Sequence, residues 1–354
     1  MTEQRNKRGV YNTGDVDLDE KLRELVSELD PADAQLVFEM MVTALRLSKG
    51  PISRLDRKIA NTALKEMRYA FNVFAAYRHV RKVTVFGSAR TKKGDPEYEI
   101  AKVFSRKIAD RDWMVVTGAG PGIMEAGHEG AGGARSFGVN IILPFEAEAN
   151  PFIAGDPKLI NFKYFFTRKL MFIKEADAFV LLPGGFGTMD EAFELLTLIQ
   201  TGKSDLHPIV MLDQPGDTYW ESFDRYIRGE LLQRGYISES DLSLFRYTDD
   251  VDEAIREIEN FYRVYHSQRY VKGRLVLRLN LMPSDEVLEA LSDEFQDVLD
   301  SKIEKVEVSA AEIRDDDVVD LPRIALGFTR MHAGRLRTLV DRLNELGSTG
   351  PVGF

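Results

Sequence analysis

Between residues 82 and 212 the chain repeats one pattern: a short, almost unbroken apolar run, then a loop, then helical sequence. The runs are Val83–Phe86, Met114–Thr117, Val139–Leu143, Phe179–Leu182 and Ile209–Leu212. A strand with one wet face alternates apolar and polar residues, because successive side chains point to opposite sides. These runs do not alternate, so they are predicted to be buried on both faces, which calls for a parallel sheet with helices packed on either side. The fold class that follows is α/β, a doubly wound, Rossmann-like parallel sheet. Three of the runs lead into glycine-bearing loops: Gly87-Ser88, Gly118-Ala119-Gly120-Pro121-Gly122 and Pro183-Gly184-Gly185-Phe186-Gly187. In open sheets of this class ligands sit beyond the carboxyl ends of the strands, so the loops are predicted to converge on one crevice.

The flanks have a different texture. Residues 1 to about 15 read as a mobile arm, followed by helical patterns at Asp17–Leu29, at Pro31–Leu47 and from Ser53 onward. In the last of these Leu64, Met67, Phe71 and Phe74 recur at helical spacing and form an apolar stripe that has to pack on something. A helical cap on the main domain is the simpler reading, and a dimer arm is the alternative. After about residue 265 Leu275, Leu277, Leu279 and Leu281 alternate as on a half-buried strand, and Val287, Leu288, Leu291, Phe295 and Val298 share a helix face. Val306–Val308 and Ile324–Phe328 read as further strands, and Leu336, Leu339, Val340 and Leu343 line a last helix. The predicted order βαββα describes a small α+β module, for which packing or oligomerisation is the simpler role and ligand regulation the alternative. The expected division is an arm (1–15), a helical extension (16–80), a central Rossmann-like domain (81–265) and a C-terminal module (266–354).

Composition narrows the chemistry. There is no cysteine, which removes disulfide scaffolds, thiol nucleophiles, Cys-ligated zinc and iron–sulfur clusters together. Catalysis has to come from carboxylates, Arg, Lys, His or hydroxyl groups. A formal charge of −10 argues against broad binding to a phosphate backbone, so no nucleic-acid partner is expected. The longest apolar runs are strand-length and Thr2–Arg8 is polar and basic, so neither a membrane span nor a signal peptide is expected, and the predicted location is the cytoplasm. His128, His207, His266 and His332 show no metal-ligand spacing and read as structural or surface residues.

Among the loops, Gly118–Gly122 invites a dinucleotide-binding reading, but the G-x-G-x-x-G fingerprint needs glycine where Ile123 stands. The acidic residue expected about 20 positions later is also missing, since Asn140 and its neighbours are neutral. No glycine loop is followed by Gly-Lys-Ser/Thr, which removes the P-loop as well. The more specific segment is Pro183-Gly184-Gly185-Phe186-Gly187-Thr188-Met189-Asp190-Glu191, which follows a buried run and opens a helix. Glycines let backbone N–H groups approach a phosphate, and a helix N-terminus adds unpaired donors and partial positive charge. Thr188 is placed either to cap the helix or to bond a phosphate oxygen. Asp190 and Glu191 suit a first helical turn on dipole grounds alone, and Glu191 can also turn toward a bound ribose. Upstream, Tyr164–Phe172 reads as an aromatic-rich helix carrying Arg168 and Lys169. Helix neighbours diverge by about 100°, so the two cations are expected to have different roles, with Arg168 chosen for the crevice because guanidinium matches a phosphate or carboxylate bidentately.

Taken in order, Gly-Ser-Ala-Arg after the first run, Val-Thr-Gly-Ala-Gly-Pro-Gly-Ile-Met-Glu-Ala after the second, Arg168-Lys169 before the fourth, and PGGFGTMDE together resemble the LOG (Lonely Guy) family. That family comprises cytokinin-activating phosphoribohydrolases and bacterial relatives often labelled lysine decarboxylases. The resemblance runs from about Val83 to Tyr262 and leaves both flanks uncovered. It implies that Arg168 and Glu191 are the catalytic pair and that Gly184, Gly185, Gly187 and Thr188 hold a 5′-phosphate. It further implies that Gly87, Ser88, Gly118, Gly120, Gly122, Glu125 and Lys169 line the nucleotide pocket. The plant-like enzymes carry Met-His where this chain has Phe165 and Phe166, a departure that bears on base preference. The activity implied is hydrolysis of the N-glycosidic bond of a purine nucleoside 5′-monophosphate, such as AMP or a cytokinin riboside monophosphate, to free base and ribose 5-phosphate. The implied transition state is oxocarbenium-like, with no metal or organic cofactor and with a homodimer or larger homo-oligomer as the assembly. Two rivals are a pyridoxal-phosphate lysine decarboxylase and a non-catalytic nucleotide sensor with a regulatory C-terminal module.

Overall fold

The computed structural model describes residues 11–143, 149–315, 318–328 and 332–347. They fall into two compact units, split between residues 68 and 69. Most of the expected N-terminal arm, residues 1–10, lies outside the described residues.

In the first unit Asp15 caps α1 (Val16–Leu25) by accepting from the Leu18 amide at 3.1 Å, and Asp30 followed by Pro31 starts α2 (Pro31–Lys49). An aspartate cap before proline is a strong local start signal, since it satisfies an orphan amide while proline's fixed φ suits the first turn. α1 therefore stops short of Leu29, where the sequence pattern was expected to run. Leu22, Val26, Phe38 and Val42 form the buried seam. α3 (Arg54–Ala75) follows. Its buried positions are Ala63, Ala70 and Phe74, whereas Leu64 and Phe71 of the expected stripe are exposed.

The second unit contains β1 (Lys82–Phe86), α4 (Pro96–Ala109), β2 (Met114–Thr117), α5 (Ile123–Ala131), β3 (Ser136–Ile141), β4 (Leu159–Phe162), α6 (Phe165–Lys174), β5 (Ala178–Leu181), α7 (Phe186–Gln200), β6 (Ile209–Leu212), α8 (Tyr219–Tyr226), β7 (Arg246–Thr248) and α9 (Val251–Phe261). The seven strands make one parallel sheet in the order β4-β3-β2-β1-β5-β6-β7. β1, β2, β5 and β6 are buried at every residue, as expected for strands covered on both faces. On one face Val83, Val115, Val180 and Val210 pack with Phe104 and Ile108 of α4, Ile123 of α5 and Ile255 and Ile258 of α9. Strands β4 and β7, not foreseen in the sequence, are the two edges. Edge strands bury little, so Arg246-Tyr247-Thr248 carries no apolar signature.

The strand order gives the sheet one switch point. From β1 the chain runs outward through β2, β3 and β4, then returns to place β5 on the other side of β1. At such a point the loops leaving neighbouring strands depart to opposite faces and open a crevice between them. Here those loops are Gly87-Ser88 after β1 and Pro183–Gly187 after β5.

The chain continues through β8 (Tyr265–Val271), β9 (Arg274–Leu279), α10 (Asp285–Glu294), β10 (Glu304–Val306), α11 (Ala310–Arg314), β11 (Arg323–Leu326) and α12 (Ala333–Leu346). The strands form an antiparallel sheet in the order β10-β11-β9-β8. The order is ββαβαβα, against the expected βαββα. The extra strand β8 is a half-buried, polar edge, joined to β9 by Lys272-Gly273, both with positive φ, as a two-residue hairpin turn requires. α11 is a single capped turn in which Ser309 and Glu312 bond each other's amides. α12 is tied to the parallel domain: Asn344 Nδ2 donates to Phe261 O of α9 at 2.7 Å, and buried Arg337 pairs with Glu257 of α9. Among the described residues no helix is long and apolar enough to cross a membrane.

Candidate functional site

The three glycine loops meet. The Ser88 amide donates to Pro183 O at 3.1 Å, and the Ile123 amide donates to Ser88 O at 3.0 Å, so Ser88 ties the β5 and β2 loops together. The closeness accounts for particular glycines. A Cβ on Gly87 would lie 2.6 Å from the Ile123 side chain, and one on Gly122, at φ 69°, would lie 2.3 Å from Ser88 O. A Cβ on Gly184 would stand 2.1 Å from Thr188 Oγ1 and 3.1 Å from the Ser88 amide. Gly185 and Gly187 face open space instead, where the missing side chains leave their backbone accessible.

α7 starts at Phe186 with Gly185 as N-cap and no capping side chain. Its first-turn amides therefore keep their donors for a ligand, and the helix dipole favours an anion there. Thr188 is not the cap: it is buried inside the first turn, folded over Gly184. Tyr219, a residue with no signal in the sequence, donates its hydroxyl to Gly184 O at 2.6 Å and holds the loop from the α8 side.

Arg168 and Lys169 diverge as helical geometry predicts, and both are half-buried. Arg168 Nε donates to Val139 O at 2.8 Å, its guanidinium stacks 5.0 Å from the Phe172 ring, and a Cβ on Gly118 would lie 2.3 Å from one of its terminal nitrogens. Gly118 is thus the space that Arg168 occupies at the ends of β2 and β3. Gly120 leaves room for the Met124 side chain, 2.7 Å from where its Cβ would be. Glu125 lies half-buried in the first turn of α5, its side chain making no hydrogen bond or ion pair among the described residues.

Glu191 is buried on α7, and its carboxyl is shifted upward from the ordinary glutamate value chiefly by burial. Lys169 and then Arg168 oppose that shift. The two cations and this carboxylate therefore share one electrostatic environment. Lys169 Nζ stands 2.7 Å from Glu194, 3.0 Å from Asp190 and 3.3 Å from Glu191. These are charge contacts rather than well-aligned hydrogen bonds.

Behind the β2 loop a buried polar network does the positioning. His128 Nε2 donates to Phe137 O at 3.0 Å and lies 3.1 Å from Thr117 Oγ1, so Nδ1 is left to accept from Asn150 Nδ2 at 3.1 Å. Asn150 Nδ2 also reaches Ala119 O and Gly120 O at 3.1 and 3.0 Å, bracing the glycine turn from outside the segment that forms it. His207, another of the four histidines read as structural or surface residues, donates to Asp177 O from Nδ1 at 3.2 Å. Burial holds both imidazoles below their ordinary value of 6.5. The unfolded chain then binds more protons than the folded one just below that value, so their contribution to stability is complete above about pH 6.5 and is lost as pH falls through the folded values. Melting temperatures measured down a pH series are expected to fall below about pH 6.5, and less steeply in His128→Gln; parallel curves for the two proteins would contradict this.

Two cavities lie outside the crevice. One of about 550 Å³ sits between Met189 of α7 and Tyr219 and Phe223 of α8. The other, about 380 Å³, lies between Ile199 at the end of α7 with Lys203 in the loop beyond it, on one side, and Gln268, Tyr270 and Phe328 of the C-terminal segment on the other. Neither is lined by the glycine loops.

A family profile described as "Possible lysine decarboxylase" matches residues 122–258. Similar curated proteins include a cytokinin riboside 5′-monophosphate phosphoribohydrolase of Mycobacterium tuberculosis, 31% identical over 162 residues, which cover 45% of this chain and 83% of that protein. The phosphoribohydrolase LOG7 of Arabidopsis thaliana is 28% identical over 225 residues, covering 59% of this chain and 96% of that one. Among solved structures, the molybdenum cofactor carrier protein of Chlamydomonas reinhardtii aligns at 21% identity with a TM-score of 0.36, over 51% of this chain and 96% of that chain.

Proposed function

Because this chain belongs to the LOG family, a family of phosphoribohydrolase enzymes, we propose that it hydrolyses the N-glycosidic bond of a purine nucleoside 5′-monophosphate, AMP or a cytokinin riboside monophosphate. The products are free base and ribose 5-phosphate. The observation that carries the reading is the shared environment at the switch point: an uncapped helix start built on Gly185 and Gly187, with the buried Glu191 carboxylate one turn in and the Arg168 guanidinium across the sheet ends.

In this reading the 5′-phosphate rests on the loop after β5, held by amides of Gly185, Gly187 and Thr188, with Arg168 adding positive charge. Gly87, Ser88, Gly118, Gly120 and Gly122 shape the nucleoside side of the crevice, and Glu125 takes the ribose hydroxyls. As the bond from C1′ to the base nitrogen breaks, its electron pair leaves with the base and positive charge develops on the ribose. An ionised Glu191 is worth most at that moment, and it also takes a proton from the water whose oxygen bonds to C1′. The proton that Glu191 takes from the water passes on to the departing base by way of solvent, which restores the carboxylate and balances the step.

The decarboxylase reading requires a lysine amine that can form a Schiff base with pyridoxal phosphate. Lys169 does not suit this role, because its carboxylate neighbours hold it charged and shift its pKa up despite burial.

The test is chromatography of the purified protein after incubation with a panel of nucleoside 5′-monophosphates. Release of base and ribose 5-phosphate from AMP or an N6-modified AMP is expected. Nucleotides that raise the melting temperature without releasing base would overturn hydrolysis in favour of a nucleotide sensor. The reading also includes a homodimer or larger assembly, supported by the exposed Phe165, Phe166 and Leu170 on α6 and by Phe186, 96% exposed within the phosphate loop. Light scattering that reports only monomer would remove that part.

A further inference from the structure

Asp190 and Glu194 are four residues apart on α7 and so project from one face, where two like charges repel each other. Glu191, one position on from Asp190, is buried beside them. Ionised together, the three carboxylates would each push the others toward the protonated form, and burial pushes Glu191 the same way. Yet the proposed reaction needs Glu191 as a carboxylate. The charged groups that act on it most strongly are Lys169 and Arg168 from α6 and Glu194 from its own helix. Lys169 is the cation in contact, with its side chain 12% exposed and its Nζ within 3.3 Å of an oxygen on each of the three acids.

The geometry points to Lys169 as a positioning residue of the site: by pairing at once with Asp190, Glu191 and Glu194, it keeps Glu191 ionised and aimed into the crevice, and it does not hold the substrate's phosphate. This inference rests on reading Glu191 as the catalytic carboxylate. It separates two adjacent residues that sequence reasoning places in one pocket. Arg168 serves the sheet ends and the anion, while Lys169 serves the acid. The consequence is an ionisation state that the substrate does not have to create.

The experiment uses the full chain carrying ¹³C-carboxyl-labelled glutamate, with the Glu191 resonance assigned by its loss in Glu191→Gln. In Lys169→Met the Glu191 midpoint is expected to rise by about one pH unit or more, since a contacting opposite charge ordinarily lowers a carboxyl by about that much. The acid limb of kcat for base release should move up with it, leaving the rate about tenfold lower on that limb and recovering as pH rises, with KM within about twofold. In Glu194→Gln the shift should have the opposite sign, because Glu191 loses a like charge and keeps the lysine; this variant carries the test if Lys169→Met does not fold. An unmoved Glu191 midpoint in Lys169→Met, an upward or absent shift in Glu194→Gln, or a tenfold rise in KM at unchanged kcat would overturn the assignment. The titration is read whether or not nucleotide turns over. Absence of base release therefore contradicts the proposed reaction, whereas an unmoved midpoint contradicts the role given to Lys169.

Discussion

Glu191→Gln is expected to lose base release by about 10²–10⁴-fold, equivalent to about 3 to 5 kcal/mol of barrier, while nucleotide still binds. Glutamine keeps the shape of the side chain and removes only the charge. The buried side chain should therefore keep its packing on α7, and the phosphate loop, which is built from main chain and from Thr188, should be unaffected. The pH profile adds a sign. The active form is the carboxylate, which is lost as pH falls, and burial raises the Glu191 pKa above its ordinary value of 4.5. The acid limb of the wild-type rate should therefore lie above that value, and the residual rate of the glutamine variant should show no such limb. Single-turnover measurements of base release across pH, paired with a binding titration, check both statements. Turnover unchanged by the substitution removes Glu191 from the mechanism.

AMP is expected to be cleaved at least about 10²-fold more efficiently in kcat/KM than adenosine. Whole-enzyme accelerations begin at about 8 kcal/mol, and one acid–base group supplies about 3 to 5 of these, so about 3 kcal/mol or more is left to anchoring and pocket electrostatics. Binding energy at the phosphate, remote from C1′, is what holds the ribose against Glu191, and a nucleoside cannot draw on it. Gly184→Ala should narrow the preference, because its Cβ would stand 2.1 Å from Thr188 Oγ1 and force the loop open. Steady-state comparison of the two substrates is the measurement; equal efficiencies would end the assignment of the loop after β5 to phosphate.

How far the fold could be read ahead of the structure depended on burial. β1, β2, β5 and β6 are covered on both faces, so each is written as a run of apolar residues and was legible. The edges β4, β7 and β8 are short or half-wet, and half-wet strands need fewer apolar residues. The same reasoning explains the N-terminal stripe, where spacing marked Leu64, Met67, Phe71 and Phe74: Phe74 is buried as expected, but Leu64 and Phe71 are exposed and the other buried positions are Ala63 and Ala70. Periodicity identifies a helix face only to within a residue or so, and small residues such as alanine add little to the pattern even when they are fully enclosed.

For the site, the sequence by itself determined the parts whose chemistry is local, the glycine loops and the helix that opens out of the last of them, since backbone freedom and helix dipole are properties of a short segment; because α7 already begins at Phe186, Asp190 and Glu191 fall beyond its first turn and not within it as expected. Only the tertiary structure decided which of the adjacent cations meets which partner, because that depends on packing α6 against both the strand ends and α7. Asn150, His128 and Tyr219 entered the same way, as long-range hydrogen bonds that brace the loops from elsewhere in the chain. Their residue types are ordinary, and a hydrogen bond across 30 or 35 residues, as from Asn150 to Gly120 or from Tyr219 to Gly184, leaves no local pattern to read.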